Sequence, residues 1–397
     1  MGVKNFTVQF HDNKVIYSPG QPVNGSILIE LEEPMRMKAV KIKFSGKAQV
    51  SWTETRSTGK TTYTVRYSSC EQYFKEEVSV YGEGSVGAFA NSEELPAGQS
   101  VFPFQFFLPP TLPSSFEGAH GHVRYLIHAS IDRPWHFDPK TKAAFTVLDS
   151  YDLNLETDAR ISPTAEDSKT ICCWCCASNP ITAVVRADRT GYVPGEFITI
   201  NATAENGSTR KLKLTRASVV QKVRFMAVAP HKKTRTWRKS MADVEGPAVT
   251  RRQTIHWNNE RIQIPALPPS ELRNCNIMNI EHYLEFRVVL PRLSKDLCVK
   301  VPIKLGTVPL QGITPYSQLP PTMPQPGGEI PLQPTATAPT PQPMPPAYQM
   351  PPPSYMAVVG GEVAIKDDDD NNHMMGGQSF APQYTYYDWS QSAFTYN

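Results

Sequence analysis

A short turn sequence occurs twice in the chain, and each copy leads into a run in which apolar and polar residues alternate. The copies are Tyr17–Gln21 (YSPGQ) and Tyr192–Glu196 (YVPGE). Proline fixes φ and glycine accepts a positive φ, so a Pro-Gly pair turns the backbone sharply. Alternation with a period of two residues is the pattern of a half-buried β-strand. The repeat therefore predicts two related β domains.

Period-two alternation recurs through both halves, and no long stretch has the 3.6-residue period of an amphipathic helix. The clearest runs begin at Val40, Val123, Leu284 and Val299. Clusters of Gly, Pro, Asn and Ser separate the runs at short intervals, as in an antiparallel sandwich. We predict an all-β chain of two tandem immunoglobulin-like β-sandwiches, an N-domain at residues 5–160 and a C-domain at residues 178–307.

Proline usage changes after the second predicted domain. Of the 37 prolines, 16 lie between Pro309 and Pro353, where aliphatic residues are few and no strand or helix period is present. Such a segment cannot bury enough apolar surface to offset the entropy lost on ordering. We predict that residues 308–397 form a disordered Pro-rich tail.

The composition indicates which cellular compartment and which classes of partner to expect. A net charge of +3 gives no strong field for nucleic acid, so no nucleic-acid partner is expected. The first residues lack the apolar core of a signal peptide, and no window approaches the roughly 20 apolar residues that span a bilayer. An odd number of cysteines, seven, does not suggest a secreted disulfide framework. We expect a cytoplasmic protein whose membrane association, if any, is peripheral.

Two Pro-Pro-x-Tyr motifs in the tail are the clearest functional signal. Consecutive prolines favour a polyproline II helix, which loses little entropy on binding the aromatic groove of a WW domain. The tyrosine adds a ring and a hydroxyl for a second pocket. The predicted WW-binding residues are Pro345, Pro346, Tyr348, Pro352, Pro353 and Tyr355. Equivalent positions are seven residues apart, about 22 Å in polyproline II, so we expect one WW module to bind at a time.

Several segments of the two halves resemble the arrestin domain-containing proteins, or α-arrestins. Those segments are Phe107–Pro109, Pro113–Gly118, Gly121–Tyr125, Asp132–Trp135, Gly191–Glu196 and Asn206–Arg210. The resemblance implies a bilobed arrestin fold. It also implies an adaptor that brings HECT-type ubiquitin ligases to membrane receptors or transporters, promoting their ubiquitination, endocytosis and endosomal sorting. Recruitment to the plasma membrane and to endosomes would follow.

Four signature residues are interpreted as structural. Phe116 and Trp135 are large enough to anchor a sandwich core. Arg124 and Arg133 flank a predicted strand, where a bidentate pairing with a carboxylate would fix the register.

A cysteine cluster lies between the predicted domains, at Cys172, Cys173, Cys175 and Cys176. Two overlapping Cys-x-x-Cys pairs cannot easily surround one zinc ion, so no metal site is predicted within the cluster itself; a site shared with distant ligands or with another chain stays open. Acylation of the cluster would suit a membrane-recruited adaptor, and a plain interdomain loop is the alternative.

A basic stretch in the second half is a candidate contact for anionic lipid or an acidic cargo tail. Its cationic residues are Lys232, Lys233, Arg235, Arg238 and Lys239. The alternative is a solvated loop between strands.

Two features near the end of the chain have weaker interpretations. The acidic run Asp367–Asp370 is read as solubilising, and the aromatic cluster from Tyr384 to Trp389 as a candidate sorting or phosphorylation segment.

Other functions remain open from the sequence. No Ser-His-Asp, Cys-His or paired-carboxylate arrangement can be placed, so we expect neither catalysis nor a cofactor. A redox role would depend on the cysteine cluster, and a sorting-coat subunit would not need the tail motifs. The main alternative is a thioredoxin-binding regulator of arrestin fold, which needs a reactive thiol at Cys275 or Cys298.

Overall fold

The computed structural model describes residues 2–82, 93–170, 172–173, 176–177, 179–290, 295–312, 363–365, 370, 374–377 and 379–388. Within these ranges no α-helix occurs, and the helical turns are η1 (His11–Asn13) and η2 (Leu153–Leu155). The described chain is therefore nearly all β, as predicted.

Eleven strands build the N-domain. They are β1 (Val3–Phe10), β2 (Ile16–Tyr17), β3 (Pro22–Leu31), β4 (Met35–Met37), β5 (Ala39–Thr58), β6 (Thr61–Tyr81), β7 (Glu93–Leu95), β8 (Gly98–Phe107), β9 (Phe116–Gly118), β10 (Gly121–Asp132) and β11 (Lys140–Val147). Strands β1, β3 and β8 form one sheet, and the order β2-β11-β10-β5-β6 forms the other. Apolar residues at alternate positions, such as Phe44 and Ile127, fill the space between the sheets.

The C-domain repeats this construction with β12 (Thr164–Lys169), β13 (Cys172–Cys173), β14 (Cys176–Ala177), β15 (Ile181–Ala187), β16 (Gly191–Tyr192), β17 (Phe197–Asn206), β18 (Leu214–Ala227), β19 (Lys233–Gly246), β20 (Thr254–Gln263), β21 (Met278–Val289) and β22 (Leu297–Leu305). Its sheets have the orders β12-β15-β17-β20 and β16-β22-β21-β18-β19. Trp257 and Phe286 meet edge to face between them, with ring centroids 5.3 Å apart. Both predicted sandwiches are thus present.

The sequence repeat corresponds to a structural repeat. Each turn follows a two-residue strand that pairs in parallel with the last strand of its domain, β2 with β11 and β16 with β22. Gly20 and Gly195 adopt φ values of +81° and +97°, a region that glycine occupies without steric cost. The strands β3 and β17 then leave the turns. The predicted duplication is therefore visible at the level of strand pairing.

Contacts join the domains on two sides of the linker. Ser68 on β6 forms an antiparallel bridge with Ala229, just after β18. The amides of Thr307 and Val308 donate to the carbonyl oxygen of Tyr151 in the linker. Strand β12 also pairs with β15, so the C-domain sheet begins at Thr164, within the interval that the predicted boundaries left between the domains.

Three short strands follow the second domain: β23 (Val363–Ala364), β24 (Met374–Gly376) and β25 (Ser379–Phe380). Strand β23 pairs with β25, and β24 adds in parallel to β11 of the N-domain.

Candidate docking surfaces

The described residues between Val363 and Asp388, here called the strap, contact the N-domain along β11. Met374–Gly376 pair with Lys140–Lys142. Farther along, the hydroxyl of Tyr384 donates to the carbonyl oxygen of Ser115 at 3.1 Å. The strap thus occupies part of an edge strand, whose backbone groups are available for pairing.

Burial and charge reinforce this contact. Ile365 and Phe380 are buried against Leu126, on the outer face of the large N-domain sheet. The Lys142 side chain is only 1% exposed, and its amine lies 2.6 Å from Asp370. The same amine donates to the carbonyl oxygen of Ile365 at 2.6 Å. A buried ammonium group requires such partners, so the strap completes the environment of Lys142.

The far end of the strap reaches the C-domain. The Tyr387 amide donates to the carbonyl oxygen of Pro194 at 3.0 Å, inside the second Pro-Gly turn. Its hydroxyl donates to the carbonyl oxygen of Thr307 at 2.8 Å. Its ring packs with Val193 and Leu310. The strap therefore touches both domains.

A disordered tail was predicted over residues 308–397, and the strap contacts show that this prediction does not hold for the strap. The Pro-rich part, residues 313–362, lies outside the described residues. The strap, in contrast, is packed and hydrogen-bonded. The aromatic cluster at its end was noticed in the sequence but interpreted as a sorting or phosphorylation segment, because its partners are distant in sequence: Tyr384 binds Ser115, 269 residues away, and Tyr387 binds Thr307, 80 residues away.

The basic stretch, for which a solvated loop was the alternative to a lipid or cargo contact, is instead the start of β19. Its side chains alternate, with Lys233, Arg235 and Lys239 half-buried and Arg238 exposed; Lys232, just before the strand, is exposed. The loop interpretation was wrong because the charges hid a period-two pattern that continues in the β18–β19 pairing.

Half of this stretch faces the N-domain. The Lys233 amine forms an ion pair with Glu54 and lies 4.8 Å from the ring centre of Tyr67. Burial and, next, the charge of Arg235 lower the pKa of His120, in the turn between β9 and β10. Lys232 and Arg238 are exposed and alternate with the half-buried cations, so the stretch does not present a single basic surface.

Two signature residues behave as predicted. Phe116 is fully buried. The Arg124 guanidinium pairs with Glu117 through two hydrogen bonds of 2.5 and 2.9 Å, which join β9 to β10. Burial raises the pKa of Glu117, and the charge of Arg124 opposes that rise. This bidentate pair fixes the register of the two strands.

The other two do not. Trp135 is 94% exposed and adopts φ of +61° in the turn between β10 and β11, where no neighbouring strand covers it. The prediction that it anchors the core is wrong. Arg133 has no carboxylate partner among the described residues, although its backbone amide donates to Asp138 at 3.0 Å.

The remaining predicted sites are described only in part. The WW-binding residues, Pro345 to Tyr355, lie outside the described residues, as does Cys175. Around it, the backbone of β13 pairs with β14, with Cys173 opposite Cys176. Because β12 and β15 on either side belong to one sheet, the cysteine cluster lies in a hairpin of the C-domain, and the interdomain-loop interpretation was wrong.

Comparison with known proteins agrees with this geometry. Residues 6–154 match the family model of the arrestin (or S-antigen) N-terminal domain, and residues 177–310 match that of the C-terminal domain. Arrestin domain-containing protein 17 of Caenorhabditis elegans is 31% identical over 311 residues, 77% of this chain and 70% of the relative. Human arrestin domain-containing protein 4 is 31% identical over 320 residues, 78% and 73% of the two chains.

The chain is an α-arrestin.

Membership supports an adaptor role of the arrestin type. Two further observations concern what the described part of this α-arrestin contains. Among those residues, no group of three or more His, Cys, Asp or Glu side chains is placed to hold a metal ion. Nor does any helix there have the length and hydropathy to cross a bilayer.

The two candidate thiols, Cys275 and Cys298, are poorly placed for reactivity. Burial raises the pKa of Cys275, which lies beside Tyr73 of the other domain. Burial also raises the pKa of Cys298 on β22. Since the thiolate is the reactive form, both groups are disfavoured as nucleophiles at neutral pH.

Proposed function

We propose that this α-arrestin is a non-enzymatic trafficking adaptor that recruits WW-domain ubiquitin ligases of the HECT type to membrane receptors or transporters. Ubiquitination of that cargo would then promote its endocytosis and endosomal sorting. The observation that carries the proposal is the presence of two Pro-Pro-x-Tyr motifs in a Pro-rich segment that follows a duplicated arrestin fold.

The motifs suit a ligase-recruiting role because of where they lie. Proline pairs preset the polyproline II conformation that WW grooves bind. The two folded domains offer extended sheet surfaces for cargo, so one chain can hold a ligase and its substrate together. Such an adaptor raises the local concentration of one partner near the other and needs no catalytic group of its own.

Replacement of both motif tyrosines tests this proposal. In the full chain, Tyr348→Ala with Tyr355→Ala removes the ring and hydroxyl that fill the second pocket of a WW groove. We expect at least a roughly 10-fold loss of affinity for an isolated WW domain, the effect of removing a hot-spot side chain. Calorimetric titration measures it. Tyr316→Ala, another tail tyrosine, is the matched control and should bind normally. Unchanged binding by the double variant would refute the proposal.

The spacing of the motifs gives a second test. A WW module is about as wide as the 22 Å that separates equivalent residues in polyproline II. We expect the wild-type chain to bind one WW module at saturation. A stoichiometry of two, with independent affinities, would contradict the steric argument.

Membrane recruitment is part of the same proposal. We place the protein in the cytoplasm, with recruitment to the plasma membrane and endosomes through cargo. Acylation of the cysteine hairpin would strengthen it, as would contact of Lys232 and Arg238 with anionic lipid. Acyl exchange on a variant with Cys172, Cys173, Cys175 and Cys176 changed to serine tests the first contribution. Loss of the acyl signal in the variant is expected, and no signal in the wild-type chain would exclude acylation.

The thioredoxin-binding alternative is less well supported. It requires a reactive thiol, whereas burial raises the pKa of both candidates, Cys275 and Cys298. Trapping with a thioredoxin that lacks its resolving cysteine would detect a mixed disulfide. We expect none.

A further inference from the structure

Two large aromatic side chains are exposed in the turn between β10 and β11, here called the aromatic turn (residues 133–139). Trp135 is 94% exposed and Phe137 is 74% exposed. By contrast, Trp52 and Trp257 are buried, one in each domain. Exposed aromatic surface is unfavourable in water, so two such rings two residues apart indicate a surface that a partner covers.

The backbone of the aromatic turn is fixed in a conformation that disfavours its most exposed residue. Trp135 adopts φ of +61°, which is rare for a bulky side chain because its Cβ approaches the following carbonyl oxygen. The Ile131 amide donates to the carbonyl oxygen of Pro139 at 3.1 Å, and the Arg133 amide donates to Asp138 at 3.0 Å. Backbone strain of this kind persists only where the surrounding structure imposes it, and it is common at binding surfaces.

The aromatic turn projects beyond the sheet rather than lining a groove. The pairing of β10 with β5 ends at Asp132 and Ala39, and its pairing with β11 ends at Ser130 and Lys140. The residues between these pairs belong to no strand. The rings are thus carried on a convex tip, which can enter a soft layer without a complementary pocket.

Cationic residues flank the rings. Arg133 and Lys140 lie on either side of them in the sequence, and Arg133 has no carboxylate partner among the residues that the structure describes. Lys38 is joined to the base of the turn, since its amide donates to the carbonyl oxygen of Asp132 at 2.8 Å. The Asp132 carboxylate is already paired with Lys41 at 2.7 Å. Aromatic rings next to available cations match the interface of an anionic bilayer, where rings lie at the headgroup level and cations contact phosphates.

We propose that the aromatic turn is a membrane-insertion element, in which Trp135 and Phe137 enter the interfacial layer of a bilayer that contains anionic lipid. Arg133 and Lys140 then contact the lipid phosphates. This site is separate from the cysteine hairpin and from the start of β19, and it does not depend on the Pro-Pro-x-Tyr motifs.

The place of the aromatic turn in the fold determines how insertion would orient the protein. At the other end of β10, His120 packs edge to face against Phe225 of the C-domain, with ring centroids 5.5 Å apart. The 12 residues of β10 span about 40 Å. Insertion would therefore anchor the N-domain by the end away from the C-domain and leave the interdomain surfaces accessible to cargo.

Vesicle binding by the full chain tests the proposal. Protein made in bacteria carries no acyl chains, so the cysteine hairpin adds no lipid anchor. The variant Trp135→Ala with Phe137→Ala removes both rings from the exposed turn, and circular dichroism checks that it folds. Phe107→Ala, which removes a phenylalanine that is 65% exposed on β8, is the matched control. Binding is measured by co-sedimentation with phosphatidylcholine vesicles that contain about 30% phosphatidylserine.

We expect the wild type and Phe107→Ala to bind these vesicles equally. The double variant should bind at least about fivefold more weakly, because it loses the apolar surface that enters the bilayer. All the proteins should bind pure phosphatidylcholine vesicles more weakly than the anionic ones, since the attraction between cations and lipid is then absent.

Fluorescence quenching by lipids with brominated acyl chains identifies the inserted residue. Tryptophan emission of the wild type should be quenched on binding. Trp135→Phe keeps an aromatic ring, so it should still bind, but without the quenching.

Three results would overturn the proposal. They are absence of wild-type binding to anionic vesicles, equal binding by the wild type and the double variant, and quenching that persists in Trp135→Phe. If the rings fill a protein pocket instead, the double variant would lose affinity for the cytoplasmic tail of a receptor while its vesicle binding stayed unchanged.

Discussion

The two Pro-Gly turns share one geometry of cation and tyrosine ring and differ in a single hydrogen-bond acceptor. In the N-domain, the Lys14 amine lies 4.9 Å from the ring centre of Tyr17; in the C-domain, the Arg189 guanidinium lies 4.4 Å from that of Tyr192. Each tyrosine hydroxyl also donates to the backbone carbonyl oxygen of the cationic residue beside its ring: Tyr17 to Lys14 at 2.7 Å and Tyr192 to Arg189 at 2.8 Å. The spacing of cation and ring is the same in both copies, so the turn geometry is a local property.

The difference lies in the acceptor four residues after each tyrosine. Gln21 accepts from the Ser18 amide at 3.1 Å and stays partly exposed. Glu196 accepts from the Val193 amide at 2.9 Å, is buried, and lies 3.0 Å from Arg189. Burial raises the pKa of Glu196, against the lowering effect of Arg189. One copy is thus a neutral surface turn, and the other contains a buried ion pair beneath the strap.

Removal of the hydrogen-bond acceptor from each turn should give the largest difference in stability between the two turns. Glu196→Ala leaves Asp188 as the only carboxylate beside the largely buried Arg189, and we expect a loss of about 3 kcal/mol in the free energy of unfolding. Gln21→Ala removes two hydrogen bonds at a partly exposed site, from the Ser18 amide and the Lys14 amine, and should cost about 1 kcal/mol or less. Denaturant titration of both variants measures the difference. Equal costs would mean that the buried pair contributes no more than the neutral one.

Acid sensitivity provides a second contrast, since His282 on β21 occupies the place of Tyr125 on β10. Each lies opposite a residue two positions before the end of its domain's last strand. Burial lowers the pKa of His282 to about 3. The unfolded chain therefore binds an extra proton between that value and its ordinary pKa near 6.5, and stability falls as pH falls through this window.

From pH 7 to pH 5 the expected loss is about 2 kcal/mol. The glutamine of His282→Gln does not titrate. The free energy of unfolding of this variant should therefore fall by about 2 kcal/mol less than that of the wild type between pH 7 and pH 5. Tyr125, with a pKa raised by burial, contributes nothing there. Urea titrations at the two pH values measure the effect, and an identical pH dependence in wild type and variant would contradict it.

Substitution of the glycine in each turn gives a third and smaller difference between the two turns. Gly20→Ala and Gly195→Ala each place a Cβ at a positive φ, at a cost of about 1 to 2 kcal/mol. Only Gly195→Ala should also speed hydrogen exchange at the Tyr387 amide, because its Cβ overlaps that residue. At Gly20 the nearest atom is Pro110 Cα, 3.9 Å away. Equal exchange in the two variants would show that the strap does not rest on the second turn.

The features that could be predicted from the sequence are those formed by residues close to one another in the chain. The paired turns, the alternating strands and the pairing of Arg124 with a carboxylate all involve residues close in sequence or in one hairpin, and each is present; the structure identifies that carboxylate as Glu117. Trp135 was misjudged because size alone indicates burial, whereas its turn conformation excludes it from the core.

Long-range contacts were beyond the sequence. Nothing near Lys142 indicates that Asp370, 228 residues later, is its partner. For the cationic residues at the start of β19, neither the lipid or cargo contact nor the loop alternative anticipated the ion pair of Lys233 with Glu54, because that pair joins two domains and leaves no local pattern. The two Pro-Pro-x-Tyr motifs, in contrast, can be identified from the sequence alone, since a short linear motif needs no fold to be recognised.

The packing of the first strand of each domain against its last strand has an evolutionary consequence. Since β1 packs against β11 and β12 against β22, the chain enters and leaves each sandwich at neighbouring points. A gene segment encoding one sandwich could therefore be copied in tandem without interrupting either sheet, with only the residues between Val147 and Thr164 as a linker. The same adjacency predicts that either unit tolerates circular permutation at its distal loops.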